Sequence, residues 1–233
     1  MSAAQEKVVA GLKALDFITE GTIIGLGTGS TAEEFVKGLG AKVAEGFKIT
    51  GVPTSEKTAE LATSLNIPLT TLEEAGHLAV TVDGAAEADP QMRLIKGGGG
   101  ALLREKIVAA ASDAMVVIVD SGKQVETLGA FPLPIEIVPF GAGVTADKIK
   151  AAIPAFGPGG DIAVSYRKNA DGGLFLTDGG HYIVDCSFGR IGDVEGLASF
   201  LSTLPGVVDH GLFLGLASTL IVGRGGDTEI IQA

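Results

Sequence analysis

The segment TVDGAAEADPQMRLIKGGGGALLREK, residues 81–106, joins the end of an apolar run to a glycine run and then to a helix-forming segment. The apolar run, residues 78–82, ends at Asp83, and four consecutive glycines at residues 97–100 follow Lys96. Glycine loses more backbone freedom on folding than any other residue, so four in a row indicate close backbone approach to a ligand or unusual backbone angles. The segment therefore predicts a strand, a ligand-binding loop and a helix, in that order.

Short apolar runs alternate with helix-forming segments on both sides of this loop. The apolar runs lie at residues 22–26, 47–52, 78–82 and 115–119, and the helix-forming segments at residues 4–16, 31–39, 56–65 and 102–111. Strands that alternate with helices predict an α/β fold around a parallel sheet. The run MVVIV is apolar at every position, which is typical of a strand covered on both faces.

The chain changes character at Phe131, where the stretch FPLPIEIVPFG carries three prolines. Short strand-like segments follow at residues 162–166 and 182–185. These features predict a second, smaller α+β domain. The apolar, glycine-interrupted segment 207–223 is expected to return to the first sheet. The expected domains are residues 1–131 plus 207–233, and residues 132–206.

Composition places the chain among globular proteins and excludes some partners. Of its 233 residues, 46% are hydrophobic, and the formal net charge is −11. Binding to a nucleic-acid backbone requires a basic face, which this sequence lacks, so no nucleic acid is expected as a partner. No apolar run approaches the roughly 20 residues of a membrane span, so no membrane partner is expected. Cys186 is the single cysteine, expected to be a buried or half-buried thiol, and its isolation favours a reducing, cytoplasmic compartment.

A second glycine segment, GLGTGST at residues 25–31, follows the first apolar run and precedes a helix-forming segment. It satisfies one form of the dinucleotide fingerprint, but the acidic residue expected about 20 positions later is absent from residues 49–55. The hydroxyls of Thr28, Ser30 and Thr31, together with backbone amides at a helix start, favour a phosphate site instead. The alternative is an ordinary strand-to-helix turn capped by Ser30 or Thr31.

Charged side chains follow the carboxyl ends of the expected strands, which meet at one edge of a parallel sheet. Asp83 ends one apolar run and Lys123 follows shortly after another, so both are expected near Thr28. The alternative for Asp83 is capping of the next turn, because Asp-Gly is a common turn pair. Glu87 could as easily be solvated.

Lys96 and Glu105 stand on either side of the glycine run. Free backbone N–H groups beside a lysine suit an anion, and the start of the helix favours the ionised form of Glu105. A carboxylate base next to an ammonium that stabilises negative charge is suited to proton abstraction beside a carbonyl. The alternatives are a flexible loop with solvated charges and an exposed Arg104-Glu105-Lys106 patch, and residue type alone favours the exposed patch. The three histidines lack ligand spacing, so no metal site is expected.

Six motifs, in this order, resemble those of the ribose-5-phosphate isomerase A family: GLGTGST, VPTSEKT, VDGAAE, IKGGGGALLREK, VDSGKQVETLG and PLPIEIVPFG. The resemblance runs from about residue 21 to residue 140 and returns weakly in GVVDHGLF. It implies an aldose-ketose isomerase that interconverts D-ribose 5-phosphate and D-ribulose 5-phosphate through an enediolate, in the non-oxidative branch of the pentose phosphate pathway. It also implies a Rossmann-like domain with a smaller α+β lid domain, no cofactor, and a homodimer or homotetramer.

The resemblance assigns roles to individual residues. Glu105 is implied as the base that moves the proton between C1 and C2, Lys96 as the group that stabilises the enediolate, and Asp83 as an aid to ring opening. The implied substrate contacts are Lys7, Thr28, Gly29, Ser30, Thr31, Asp83, Gly84, Ala85, Ala86, Lys96, Gly97, Gly98, Gly99 and Lys123.

Two positions depart from the family pattern. The family motif reads DGADE, whereas residues 83–87 read DGAAE, so Ala86 stands in place of the second aspartate. The pair Ser121-Gly122 replaces the common Glu-Ser. If the missing carboxylate bonds a sugar hydroxyl, its loss costs about 1–3 kcal/mol. A weakened isomerase, or one with altered sugar preference, is expected.

Two other classes of protein compete with the isomerase. A sugar-phosphate sensor or regulatory protein on the same fold would tolerate loss of a substrate carboxylate, although sensors of this kind usually carry a DNA-binding helical domain. A CoA transferase on a related fold would use a glutamate as nucleophile and form a covalent thioester.

Overall fold

The computed structural model describes residues 2–157 and 162–232. In this part of the chain the helices are α1 (Ala3–Lys13), α2 (Ser30–Ala44), α3 (Glu56–Ser64), α4 (Leu72–Ala75), α5 (Leu102–Ala110), α6 (Ala142–Ala152) and α7 (Val194–Thr203). The strands are β1 (Ile23–Leu26), β2 (Thr50–Pro53), β3 (Val80–Gly84), β4 (Glu87–Ala88), β5 (Leu94–Ile95), β6 (Met115–Asp120), β7 (Leu133–Ile137), β8 (Ala163–Tyr166), β9 (Tyr182–Ser187), β10 (Val207–His210), β11 (Leu212–Phe213), β12 (Thr219–Arg224) and β13 (Asp227–Gln232). Short 3-10 helices lie at Ala14–Phe17, Ser121–Lys123 and Ile153–Phe156.

The largest sheet has six strands in the order β13-β12-β6-β3-β1-β2. Its neighbouring strands are parallel except for β13, which runs antiparallel to β12 at one edge. Every residue of β6 is buried. Val116 and Ile118 pack in the core beneath α1 and α2, whereas Met115, Val117 and Val119 pack in a second core on the opposite face. The α/β prediction and the expectation of a strand covered on both faces are therefore confirmed.

The second strand is shorter than its apolar run predicts. Gly46, with φ +100°, ends the turn after α2, and pairing with β1 begins only at Thr50. Phe47 belongs to the apolar run but packs with its ring against the core. Hydrophobicity at this residue therefore reflects packing rather than strand pairing.

The four-stranded sheet is antiparallel in the order β10-β7-β9-β8. With α6 and α7 it encloses its own core, which contains Ile135, Ile149 and Leu197. Cys186 lies in this core, and burial raises the pKa of its thiol to about 12. The expectations of a smaller α+β unit and of a buried thiol agree with this arrangement.

The segment that was expected to return to the first sheet divides among three sheets. β10 pairs with β7 in the four-stranded sheet, β11 pairs with β5 in a three-stranded sheet of order β11-β5-β4, and only β12 joins the six-stranded sheet. The domain limits at residues 131 and 207 stay a prediction. Among the described residues, no helix is long and apolar enough to cross a membrane.

Candidate active site

The carboxyl ends of β1, β3 and β6 surround one cavity of about 460 Å³, which the glycine run after β5 also lines. All the substrate contacts that the family resemblance implies, except Asp83, line this cavity, and Glu105 lines it as well. The lining residues that the sequence did not predict are Glu33, Lys57 and Phe131.

A buried group of three charges, Asp83, Lys96 and Glu105, forms one end of the cavity. Their exposed fractions are 0%, 2% and 3%. The Lys96 ammonium lies 3.0 Å from Asp83 Oδ2 and 3.1 Å from Glu105 Oε1, and it also donates a hydrogen bond to the carbonyl oxygen of Gly84. The alternative of an exposed patch at residues 104–106 is therefore wrong for Glu105, because the second residue of the patch faces inward from the first turn of α5.

Burial sets the protonation of this group. It raises the pKa of Glu105 to about 8, and the negative charge of Asp83 adds to the rise, while Lys96 opposes it. Burial disfavours the charged form of Lys96, but Asp83 and Glu105 together raise the pKa of its ammonium above the usual value. The expectation that the helix start favours ionised Glu105 is wrong in direction, since burial outweighs the partial charge of a helix end.

Asp83 is held beneath the cavity by the backbone. Its Oδ1 accepts hydrogen bonds from Thr28 N, at 3.0 Å, and from Gly84 N, at 2.7 Å. A Cβ atom at Gly27 would lie 2.3 Å from the same oxygen, so only glycine permits the strand end of β1 to approach this carboxylate. Asp83 thus caps its own turn, as the simpler alternative stated, and in addition joins β1 to β3 and Lys96.

The other end of the cavity is open and carries donors for an anion. α2 begins after Gly29 with no side-chain cap, so its first backbone N–H groups are free of the helix ladder and of a capping hydroxyl. The alternative in which Ser30 or Thr31 caps the turn is therefore wrong. Lys7 reaches from α1 to donate a 2.9 Å hydrogen bond to Ser30 Oγ, and Lys123 lines the cavity from the turn after β6.

The sequence prediction missed the hydroxyl cluster that holds Thr28. Thr28 Oγ1 lies 2.7 Å from Thr54 Oγ1, 2.8 Å from Ser55 Oγ and 3.1 Å from Thr58 Oγ1. The hydroxyl of Thr28 is thus engaged within the protein, which leaves Ser30, Thr31 and the backbone amides as the donors of this end. The signal was present in the motif VPTSEKT, residues 52–58, which supplies all three partners.

The positions that depart from the family pattern have structural partners. Ala86 lines the cavity, packs against the core of the four-stranded sheet and donates its N–H to Ile95 O at 2.8 Å. Ser121 donates from its N–H and its hydroxyl to Glu6 Oε2, at 3.0 and 2.7 Å. Gly122 N donates to Asp120 Oδ1 at 3.2 Å. These bonds fix the turn that carries Lys123.

Glu87 is buried, so the alternative in which it is solvated is wrong. Its carboxylate accepts hydrogen bonds from Gly129 N, at 2.7 Å, and from Phe131 N. It therefore fastens the segment that places Phe131 at the cavity wall.

Each of the three histidines contacts a different partner. His77 contacts Asp113 at the surface, His181 contacts buried Glu136, and His210 lies within 3.3 Å of Ser202 Oγ. Within residues 2–157 and 162–232, no three His, Cys, Asp or Glu side chains are grouped so that they could hold a metal ion.

Known proteins resemble the chain over its full length. The ribose-5-phosphate isomerase A of Parvibaculum lavamentivorans is 55% identical over 233 residues, which cover 100% of both chains. A solved D-ribose-5-phosphate isomerase, in complex with phospho-erythronic acid, is 35% identical with a TM-score of 0.93, and the match covers 100% of both chains. The ribose 5-phosphate isomerase A of Methanocaldococcus jannaschii is 33% identical with a TM-score of 0.91, again over 100% of both chains.

A family model extends this likeness to a defined family. The model for ribose 5-phosphate isomerase A (phosphoriboisomerase A) matches residues 50–227, a span that includes Asp83, Lys96 and Glu105. The sequence match and the shared fold agree with each other, and the chain belongs to the ribose 5-phosphate isomerase A family.

Proposed function

We propose that this protein interconverts D-ribose 5-phosphate and D-ribulose 5-phosphate by proton transfer between C1 and C2. One observation carries the proposal: a carboxyl group with a pKa of about 8 and an ammonium lie side by side at the closed end of a cavity whose open end presents anion donors. A sugar phosphate has its carbonyl and its phosphate at opposite ends, which matches this division. The relative solved with phospho-erythronic acid supports the proposal, because that ligand carries both an acid group and a phosphate.

Glu105 is the proposed base. Its Oε1 faces Lys96, while Oε2 is buried without a hydrogen-bond partner among the described residues and is free to take a proton. In the aldose-to-ketose direction the C2 proton moves to Glu105 and the electron pair forms the enediolate. Glu105 then returns the proton to C1. The proton on the oxygen of C2 passes to the oxygen of C1, so that C2 becomes the ketone carbon and the oxygen on C1 becomes a hydroxyl.

Lys96 is the proposed partner of the enediolate. Its ammonium is desolvated, so its attraction for a developing oxyanion is stronger than that of a lysine in water. Asp83 is proposed to assist ring opening, the role that the family resemblance implies. Because its Oδ1 accepts two backbone hydrogen bonds, contact with the sugar is expected through Oδ2, which faces Lys96.

The phosphate is proposed to bind at the start of α2. Lys7 and Lys123 supply charge, and the free N–H groups of the first helical turn supply donors. A protein with a net charge of −11 needs such a local positive site in order to bind an anion. Assembly as a homodimer or homotetramer and a cytoplasmic location stay predictions.

The proposal is tested with the purified chain and ribose 5-phosphate in the presence of a metal chelator, with ribulose 5-phosphate as the measured product. We expect turnover with the chelator present. Glu105→Gln should lose about 10²–10⁴-fold in kcat because it removes the general base. It should still bind the sugar phosphate, as measured by calorimetry.

The outcomes separate the competing classes of protein. Binding of ribose 5-phosphate without turnover by the unchanged chain would favour the sugar-phosphate sensor. Full turnover by Glu105→Gln would refute the role of this carboxyl. Glu60→Gln, at a helical glutamate outside the cavity, is the matched control and should leave kcat unchanged.

A further inference from the structure

The glycine run is held in place by an arginine from the four-stranded sheet. Arg167 directly follows β8, and its Nη1 donates to Gly97 O at 2.7 Å and to Gly98 O at 3.2 Å. The guanidinium thus reaches across from the smaller sheet to two successive carbonyl groups of the active-site loop.

The arginine is itself fixed on its own hairpin. Its Nε donates to Asp185 Oδ2 at 3.0 Å and its Nη2 to Asp185 Oδ1 at 2.5 Å, which makes a two-pronged pair with the carboxylate. Asp185 belongs to β9, and the backbone N–H of Arg167 donates to Ile183 O on the same strand. The side chain of Arg167 is 14% exposed. Its planar fork therefore approaches the loop in one orientation.

The orientation of these two carbonyls determines that of the next two N–H groups. A trans peptide is planar, so the N–H of Gly98 points away from the carbonyl of Gly97, and the N–H of Gly99 away from that of Gly98. Neither N–H has a hydrogen-bond partner within the described residues. Both glycines line the cavity directly after Lys96. The carbonyls thus face Arg167, and the N–H groups face the opposite side of the loop.

A second contact from the same hairpin supports the loop. Phe175 lies against Gly100, where a Cβ atom would come within 2.4 Å of the ring, and Phe175 N donates to Arg167 O at 3.0 Å. Gly100, with φ +83°, closes the turn by donating to Gly97 O. Arg167 and Phe175 therefore hold the first and last glycines of the run, and the two free N–H groups lie between them.

We propose that Arg167, oriented by Asp185, is a positioning residue that aims the N–H groups of Gly98 and Gly99 at the anionic oxygens of the substrate beside Lys96. The inference rests on the proposed isomerase function and deepens it. The two N–H groups and the Lys96 ammonium together form the site in which negative charge develops at C1 and C2. Donors fixed before the reaction stabilise such charge without reorganisation, and the loss of one donor costs about 10²–10³-fold in kcat.

The test compares Arg167→Met with Lys168→Met. Both remove one positive charge from the same hairpin, but Lys168 is exposed and its side chain bonds to no described residue. We expect Arg167→Met to lose about 10–100-fold in kcat and to bind phospho-erythronic acid more weakly by a similar factor, because the amides lose their orientation. Inorganic phosphate should bind within twofold of the unchanged protein, and Lys168→Met should match the unchanged protein throughout.

Two further variants separate positioning from stability. In Arg167→Ala, millimolar guanidinium ion should restore at least part of kcat, and Asp185→Asn should lower kcat less than Arg167→Met does. Unchanged kcat in Arg167→Met would overturn the inference, as would an equal loss of inorganic phosphate binding. If the protein without substitutions shows no turnover, the isomerase function is refuted instead. The role of Arg167 is then decided by binding alone, by comparing the affinities of Arg167→Met and Lys168→Met for phospho-erythronic acid.

Discussion

The two ends of the cavity use charge in opposite ways. At the closed end, Asp83, Lys96 and Glu105 are almost fully removed from water, and the Lys96 ammonium lies about 3 Å from each carboxyl group. At the open end, Lys7 bonds to the exposed Ser30 beside a free helix start. Burial strengthens every interaction at the closed end and shifts the pKa of Glu105, whereas water screens the charges at the open end.

This difference indicates a division of labour. A base and an oxyanion partner need perturbed protonation, which desolvation provides. A phosphate needs several donors that can be reached from solution, which a helix start and partly exposed lysines provide. Variants at the two ends should therefore differ in the size of their effect and in the kinetic constant that they change.

After the loss of the base in Glu105→Gln, the largest effect is expected for Lys96→Met at the closed end. It removes the oxyanion partner and leaves Asp83 and Glu105 adjacent without a cation, so kcat should fall about 10²–10³-fold or more. The pKa of Glu105 should rise further, because Lys96 lowers it in the unchanged protein. Steady-state kinetics and thermal unfolding provide the measurements. Lys37→Met, at an exposed lysine of α2, is the control, and a Lys96 variant as active as this control would remove the distinction between the two ends.

The next largest effect is the pH dependence of kcat/KM. Glu105 acts as a base only when deprotonated, and its pKa is raised to about 8. Well below pH 8 the deprotonated fraction falls about tenfold per pH unit, so kcat/KM should rise about 50-fold from pH 6 to pH 8 and level off about one pH unit higher. A carboxyl with the ordinary value of 4.5 would give a flat profile over this range, and such a profile would show that the closed end does not perturb its base.

A smaller effect is expected for Ala86→Asp, which restores the carboxylate of the family pattern. If that group bonds a sugar hydroxyl, kcat/KM on ribose 5-phosphate should rise about tenfold, equivalent to about 1.4 kcal/mol. Residue 86 and Glu105 line the same cavity, so the new negative charge should raise the pKa of Glu105. The rise in kcat/KM should then occur at higher pH. Ala86→Asn is the neutral control of similar shape and should leave the profile in place. No gain from the aspartate would refute the expectation that Ala86 weakens the enzyme.

The smallest effect is expected for Lys7→Met at the open end. A partly exposed charge contributes about 0.2–1 kcal/mol, so KM for ribose 5-phosphate should rise about twofold to fivefold while kcat stays the same. The difference should disappear at high salt, because screening removes the contribution of Lys7. Lys13→Met, at an exposed lysine on α1, should leave KM unchanged. A large loss of kcat in Lys7→Met would contradict the division between the ends.

Local pattern was sufficient to predict the helix after the glycine run, the fully buried strand β6 and the meeting of strand ends at one rim. Each follows from periodicity and from the geometry of parallel sheets. Local pattern failed for Glu105, which residue type alone favoured at the surface, and for the hydroxyl of Thr28, which bonds within the protein. For Glu87 it left a solvated position open, although the residue is buried. The partners of Glu87 and of the Thr28 hydroxyl lie 26 to 44 residues away, so no short window around either residue contains them. The partners of Glu105 lie in its own segment, but its burial depends on how α5 packs against the sheet.

The sequence by itself determined that this is an α/β protein of the ribose 5-phosphate isomerase A family, and it identified most of the residues that line the cavity. Only the tertiary structure decided which charges are buried, which carboxyl has a raised pKa, and that Arg167 of the smaller sheet holds the glycine run. The physical reason is that motifs record residue type and order along the chain. Desolvation and hydrogen-bond geometry, in contrast, arise when β1, β3, α5 and the hairpin of β8 and β9 come together in space.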